Sequence, residues 1–210
     1  MSTADRQRIA LLVHEVRSPV AALAALAEAW RDELLDRDGR RSLASLAIAA
    51  CRGIERVVAD AAVATVRLEE VDLGELLADT AETARLHGAL VEAVVEPGLP
   101  TMQADPVRIR QALDNLVGNA LTHGSSGEPV VVAARMEGGE LLLSVTDAGP
   151  GIPRSEQSRI FDPGVRLDPA RPGSGLGLAV VRAIAEAHEA DLRLDSAPGR
   201  GSTFTLAFRL

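Results

Sequence analysis

The sequence contains no lysine; all 22 of its basic side chains are arginine. A phosphate site on this chain cannot use the lysine of a P-loop or of a protein-kinase strand, and must rely on backbone N–H groups, arginine, side-chain amides and metal. Tyrosine is also absent, and three Phe and one Trp supply no aromatic platform for stacking bases. A net charge of −8 without a basic run argues against a nucleic-acid partner, because that affinity rests on cationic neutralisation of phosphates. The single cysteine, Cys51, excludes a disulfide frame and a cysteine metal cluster; among small helical residues it reads as a buried thiol. Long apolar runs are missing too. Val20 to Trp30 and Leu43 to Val66 are Ala-rich and broken by charge, short of the ~20 apolar residues of a membrane span. Met1 to Gln7 has no signal-peptide core. The expectation is a soluble, cytoplasmic protein.

What is present falls into two parts. The 210 residues allow two small domains, and the pattern changes near residue 70, which predicts domains over 1–68 and 69–210. In the first, Ile9, Leu12, Val13, Val16, Val20, Leu23, Leu26, Trp30 and Leu34 recur at steps of three and four, one stripe of an amphipathic helix. After a break at Asp36 to Arg40, a second stripe runs Leu43, Leu46, Ala50, Ile54, Val57, Ala61, Ala64, Leu68. Two such helices make an antiparallel hairpin. One hairpin cannot close a core alone, so burial predicts a homodimer built as a four-helix bundle.

Beyond Glu70 helical and alternating patterns mix. Helices are predicted over Leu73 to Leu86, from Asp105-Pro106 through Leu121, and over Leu178 to His188. An apolar run from Leu90 to Glu96 stops at Pro97-Gly98; Pro129 to Met136 and Glu140 to Asp147 flank Glu137-Gly138-Gly139 as a hairpin; Leu192 to Ser196 and Thr203 to Arg209 form another. Three helices and mostly antiparallel strands in this order imply an α+β, two-layer sandwich.

Four strings carry chemistry. In His14-Glu15-Val16-Arg17-Ser18-Pro19, His14 lies beside the apolar seam with Ser18 one turn along on the same face, and Pro19 removes a hydrogen bond to the Glu15 carbonyl and kinks the axis. By itself an outward His on a helix is ordinary surface. In Asp114-Asn115-Leu116-Val117-Gly118-Asn119-Ala120, Asn115 and Asn119 share a helix face, and amides there can orient phosphates and a hydrated Mg²⁺; the bland reading is a polar outer face. Asp147-Ala148-Gly149-Pro150-Gly151 ends an apolar strand with a carboxylate able to accept from an amino group such as that of adenine, although Asp with Gly marks turns in general. Gly173-Ser174-Gly175-Leu176-Gly177 opens a helix, and its N–H groups suit phosphate oxygens. Arg166 and Arg171, in the segment before it, are candidates to reach those oxygens.

Together, in this order, the strings resemble the sensor histidine kinases, whose catalytic domain belongs to the GHKL ATPases. HEVRSP resembles the phosphoacceptor box, DNLVGNA the N box, DAGPGIP and GSGLGL the glycine boxes, and Arg159-Ile160-Phe161-Asp162-Pro163 the F box. The resemblance covers nearly the whole chain. It implies ATP and Mg²⁺ as cofactors, His14 as phosphoacceptor, Glu15 as its general base, and Asn119 as metal ligand. It likewise implies Asn115 near the phosphates, Asp147 on adenine, and Gly149, Gly151, Gly173, Gly175 and Gly177 shaping the pocket. The product would be a phosphohistidine that passes its phosphate to an aspartate of a response-regulator receiver domain. With only a few residues ahead of the hairpin, sensing is expected to fall to a separate protein or to a longer chain of which this is a part.

At four places the sequence departs from the family pattern. Ser18 stands where Thr or Asn is common, the residue associated with phosphatase activity, and Thr122 stands where a basic residue is common. Gly164-Val165 replaces the second aromatic of the F box, and Glu189-Ala190 replaces a glycine pair after the last helix. Rival readings are a GHKL-type ATPase or serine kinase, and a histidine phosphotransfer or scaffold protein with weak or no kinase activity. Asn115 disfavours the first, since an amide cannot deprotonate water where that branch uses a carboxylate. Intact Asn119, Asp147 and glycines disfavour the second.

Overall fold

The computed structural model describes Val20 and residues 66–124, 127–168 and 175–209. The chain divides into two units, Met1–Ala61 and Ala62–Leu210, and the second is described below. Apart from Val20 and Leu68, both helical stripes of the predicted hairpin, with His14, Glu15, Ser18 and Cys51, lie outside the described residues, as do Arg171, Gly173 and Ser174. Leu68, expected to end the second stripe, is exposed and belongs to no helix, because the chain there is already running into the first strand.

The second unit is an α+β sandwich, as the order of patterns predicts. In chain order its elements are β1 (Glu69–Val71), α1 (Leu73–Leu86), β2 (Val91–Val95), β3 (Met102–Ala104) and α2 (Pro106–His123). They are followed by β4 (Val130–Glu137), β5 (Glu140–Asp147), α3 (Gly177–Ala187), β6 (Asp191–Ser196) and β7 (Ser202–Arg209). The main sheet has strand order β2-β4-β5-β7-β6, antiparallel except for the parallel pair β2 and β4. β1 and β3, too short to stand out in the sequence, form a separate antiparallel ladder in which Glu69 faces Ala104.

Strand alternation decides which face is covered. Val130, Val132 and Ala134 of β4, Leu141, Leu143 and Val145 of β5, and Phe204, Leu206 and Phe208 of β7 are buried together with the apolar stripes of the helices. Those stripes are Leu73, Leu77 and Ala81 of α1, Ile109, Leu113, Leu116 and Val117 of α2, and Val180, Val181 and Ile184 of α3. Each fully buried Leu, Ile or Phe contributes roughly 1.5–3 kcal/mol through removal of apolar area from water. The register of β5 on β7, Val145 opposite Phe204 and Leu143 opposite Leu206, keeps the buried rows on one side, as a period of two requires.

Capping residues set the helix ends. Asp72 caps α1, its Oδ1 accepting from the N–H groups of Gly74 at 2.7 Å and Glu75 at 3.2 Å. Asp105 caps α2 ahead of Pro106, which sits where a missing N–H does no harm. At their other ends, α1 and α3 close with the same pair of bonds. After α1, Ala89 N–H donates to the Ala84 carbonyl and Gly88 N–H to that of Arg85; after α3, Ala190 N–H donates to Ala185 and Glu189 N–H to Glu186. This closure requires a left-handed residue at the turn. Gly88 meets it without cost at φ 81°, whereas Glu189 is held at φ 54°, the single left-handed non-glycine among the described residues. The glycine the family pattern carries here is thus missing from a position whose geometry still demands one. Glu189→Gly is expected to stabilise the protein by about 0.5–1 kcal/mol, the left-handed penalty less the added entropy of an unfolded glycine; chemical denaturation of both proteins measures it.

Candidate functional site

The site begins where the buried row of β5 ends. Leu141, Leu143 and Val145 point at the helices, and two residues further the same parity aims Asp147 inward, opposite Ser202 of β7. A carboxylate therefore occupies the last core position of a strand in the middle of the sheet, with 7% of the residue exposed. Its Oδ1 accepts from Gly149 N–H at 2.7 Å. Burial pushes its pKa above the ordinary aspartate value, against the Gly149 and Ser202 N–H donors and the charge of His123. Gly149 is dictated by this packing: a Cβ there would stand 2.6 Å from Asp147 Oδ1 and 2.7 Å from the His123 carbonyl oxygen.

Helix α2 supplies the second wall. Its apolar stripe faces the sheet, so the neighbouring face, with Asn115, Gly118 and Asn119, turns to the cavity. A Cβ added to Gly118 would meet nothing within 4 Å, which leaves room beside both amides. Thr122 donates its hydroxyl proton to the Gly118 carbonyl at 2.7 Å, satisfying it within its own helix. The third wall is the start of α3, which has no side-chain cap; a Cβ on Gly177 would lie 3.5 Å from Asn115 Oδ1, so this helix end abuts the α2 amides. The segment leading to α3 is fastened by Gly164 N–H to the Gly175 carbonyl at 3.1 Å. Ile160 is buried, and Phe161 packs edge-on against Phe204 with ring centroids 6.2 Å apart.

These walls enclose a cavity of about 560 Å³, within the range of small-molecule sites. Of the residues singled out in the sequence, Asn115, Asn119, Asp147, Gly151, Gly175 and Gly177 line it, and Arg166 joins them from the segment after the F box. Gly149 stands behind Asp147 and shapes the cavity by letting His123 and the Asp147 carboxylate close up. Sequence reasoning overlooked His123 and Ser202 on the lining, and the support under the glycine turn. There Ile152 N–H donates to Ser196 Oγ at 2.8 Å, and Gln157 Nε2 donates to the carbonyls of Ile152 and Ser196, each at 2.9 Å. Neither Ser202, set across from Asp147 by the register of two strands far apart in the chain, nor Gln157 carried a local signal.

Three comparisons bear on this site. Residues 104–210 match the family described as histidine kinase-, DNA gyrase B-, and HSP90-like ATPase. The chain belongs to that family. Its relatives place the described unit among sensor histidine kinase catalytic domains, with an ATP-binding fold. The sensor-like histidine kinase SenX3 of Mycolicibacterium smegmatis is 31% identical over 99% of this chain and 58% of that protein; the chain thus spans little more than half the length of this curated relative. Full-length ShkA, solved in complex with AMPPNP, superposes with a TM-score of 0.66 at 28% identity, covering 97% of this chain and 45% of ShkA. The mycobacterial sensor histidine kinase MprB superposes with a TM-score of 0.59 at 29% identity over 68% of this chain and 97% of that structure. Among the described residues no helix is long and apolar enough to cross a membrane.

The raised pKa of Asp147 has a testable sign in this histidine kinase domain. A carboxyl titrating higher in the folded than in the unfolded state favours folding below the unfolded pKa, and that contribution is lost as pH rises through the folded value. The stability of Asp147→Asn relative to the parent is therefore expected to rise as pH climbs from the ordinary aspartate range through the raised folded-state pKa, then level off; denaturant melts of the nucleotide-free proteins across pH measure it.

Proposed function

We propose that this chain is the core of a cytoplasmic two-component histidine kinase. In this reading residues 1–68 form the dimerisation and phosphoacceptor hairpin of a homodimeric four-helix bundle, and residues 69–210 form the catalytic ATP-binding domain. The observation that carries it is the convergence of Asn115, Asn119, Asp147 and the uncapped start of α3 on one cavity, in a chain that also holds His14 within HEVRSP. Family membership supports it, as does the AMPPNP complex of ShkA.

Within the cavity the Asp147 carboxylate accepts a hydrogen bond from the adenine amino group, while Gly151, left-handed at φ 71° and packed against the Ala197 carbonyl where no Cβ fits, holds the turn beside the ring. The N–H groups at the start of α3, with Gly173 and Gly175 before it, and Arg166 hold phosphate oxygens. Among the described residues no cluster of three or more His, Cys, Asp or Glu could cage a metal. An amide donor set with open space at Gly118 suits Mg²⁺, which keeps most of its shell as water and phosphate oxygens; Asn119 would hold it, with Asn115 beside the phosphates. When bound, the ion neutralises charge on the β- and γ-phosphates.

One ring nitrogen of neutral His14 attacks the γ-phosphorus in line as the bond to the ADP oxygen breaks, and Glu15 takes the proton from the other nitrogen. A phosphohistidine and ADP result. The phosphate then passes to an aspartate of a response-regulator receiver domain, and a separate sensor protein fits as the source of the signal. Ser18, four residues after His14 in the sequence, would orient the water that hydrolyses the regulator's aspartyl phosphate to release inorganic phosphate.

Incubating the protein with Mg-ATP is expected to give acid-labile, alkali-stable phosphate that is absent in His14→Gln; label persisting in that variant refutes the acceptor assignment. Asn119→Ala and Asp147→Ala should each weaken ATP binding at least about tenfold, the loss of one charge-assisted or metal-linked contact, while the dimer persists in both. Fluorescent-nucleotide titration with light scattering decides that point.

A further inference from the structure

Asp105 divides its two carboxylate oxygens between two tasks. Oδ1 accepts from Val107 N–H at 3.0 Å and Arg108 N–H at 3.1 Å, which caps α2. Oδ2 accepts from Arg67 N–H at 3.0 Å, across 38 positions of chain. A cap needs one acceptor, and Asn or Ser supplies it about as well as Asp. The second oxygen therefore serves the chain that enters the unit at residues 66–68. This side-chain bond ties down the chain just beyond the Glu69–Ala104 end of the β1–β3 ladder, and with only three residues per strand that ladder is short for a two-stranded sheet to hold unaided.

The same residue reaches α3. Its own N–H donates to His188 Nε2 at 3.0 Å, and His188 Nδ1 lies 2.8 Å from the Ile184 carbonyl. A carbonyl only accepts, so Nδ1 carries the proton and Nε2 the lone pair. Arg67, the first turn of α2 and the C-cap of α3 thus meet on one residue that is 6% exposed. Further along, both helices line the cavity, α2 through Asn115 and Asn119 and α3 through its first residues, Gly177 and Leu178.

We propose that Asp105 is a positioning residue for phosphotransfer, a clasp that fastens the linker at Arg67 to both helices of the nucleotide site, so that filling the site is felt where the chain leaves for the phosphoacceptor hairpin. The consequence for His14 rests on the kinase reading above; the clasp itself does not. A ligand that bears on both α2 and α3 firms their mutual position, and with it the frame on which Oδ2 is mounted. The linker then departs in one direction instead of several.

Asp105→Asn separates the two tasks, since its carbonyl oxygen can still cap α2 while its amide sets a donor against the Arg67 N–H. Asp105→Ser keeps a cap and removes the second acceptor without that repulsion. In the full chain, amide hydrogen exchange at residues 66–71 is expected to slow when AMPPNP is added. Both variants should exchange about tenfold faster there, matching one lost hydrogen bond, and should lose the AMPPNP response. Exchange at the start of α2 and nucleotide affinity should change by less than about a factor of two. For phosphorylation of His14, kcat is expected to fall about tenfold with KM for ATP unchanged. Faster exchange at the start of α2, or affinity falling in parallel, would make Asp105 a structural cap and overturn the proposal. Unchanged exchange at 66–71 would also overturn it. The exchange pattern without label on His14 would remove the kinase reading and leave the clasp, whereas label with an unaltered kcat would remove the clasp from phosphotransfer and leave the kinase.

Discussion

A carboxylate is costly to bury, and this sheet buries one at the inner end of its central strand. The Asp147 side chain takes a place where Leu141, Leu143 and Val145 lead one to look for another apolar residue. An unpartnered charge there would cost several kcal/mol, so the surroundings are shaped to supply N–H donors at close range. Gly149 bends back to donate, and Ser202 donates from the facing strand. Neither arrangement tolerates bulk. A Cβ on Gly149 would strike the carboxylate it serves, and one on Gly201 would collide with the Asp147 backbone carbonyl. Gly149 is, in this sense, a consequence of one acidic side chain pointing inward, whereas Gly201 answers to the close approach of the strand backbone.

With that carboxylate in place, the rest of the cavity is chemically lean. Lysine is absent from the chain, Thr122 donates its hydroxyl proton to its own helix, and Asp114, Asp147 and Asp168 stand on the lining beside Arg166 and outnumber it. Polyphosphate would be repelled by such a wall if side-chain charge were all that held it. The start of α3 answers this with N–H groups that no side chain caps, and α2 answers it with neutral amides; both bind anions or hydrated cations without adding fixed charge. Caps are present on the two helices that do not begin at the cavity and absent from the one that does. Such a division suits a site whose ligand carries its own countercharge.

Departures from the family pattern sort by whether the backbone still needs what was lost. At Glu189 the helix closure keeps its left-handed turn and the side chain bears the strain. At Gly164-Val165, where the second aromatic is missing, Phe161 packs on the core with its ring edge-on to Phe204, and the Gly164 N–H finds the Gly175 carbonyl. Neither change removes a group that faces the cavity with a chemical role.

Local periodicity made the helices and the main strands legible in the sequence, because each depends on neighbours three, four or two residues away. The predicted helix at Leu73 to Leu86 and the hairpin strand at Glu140 to Asp147 coincide with the observed elements, and Asp105-Pro106 announced α2 through capping chemistry that spans three residues. The order of motifs likewise pointed to Asn115, Asn119, Asp147 and the glycines before they met on one cavity. What the sequence could not determine is whatever depends on residues far apart in the chain. The parallel pairing of β2 with β4, the small β1–β3 ladder, the Gln157 bond to Ser196 across 39 positions and the His188 bond to Asp105 across 83 leave no periodic trace. They exist because the sheet brings distant segments within hydrogen-bonding reach. Asp105 shows the boundary within a single side chain: one oxygen answers to the helix that follows it, and the other to the segment ahead of β1 that only the tertiary fold sets beside it.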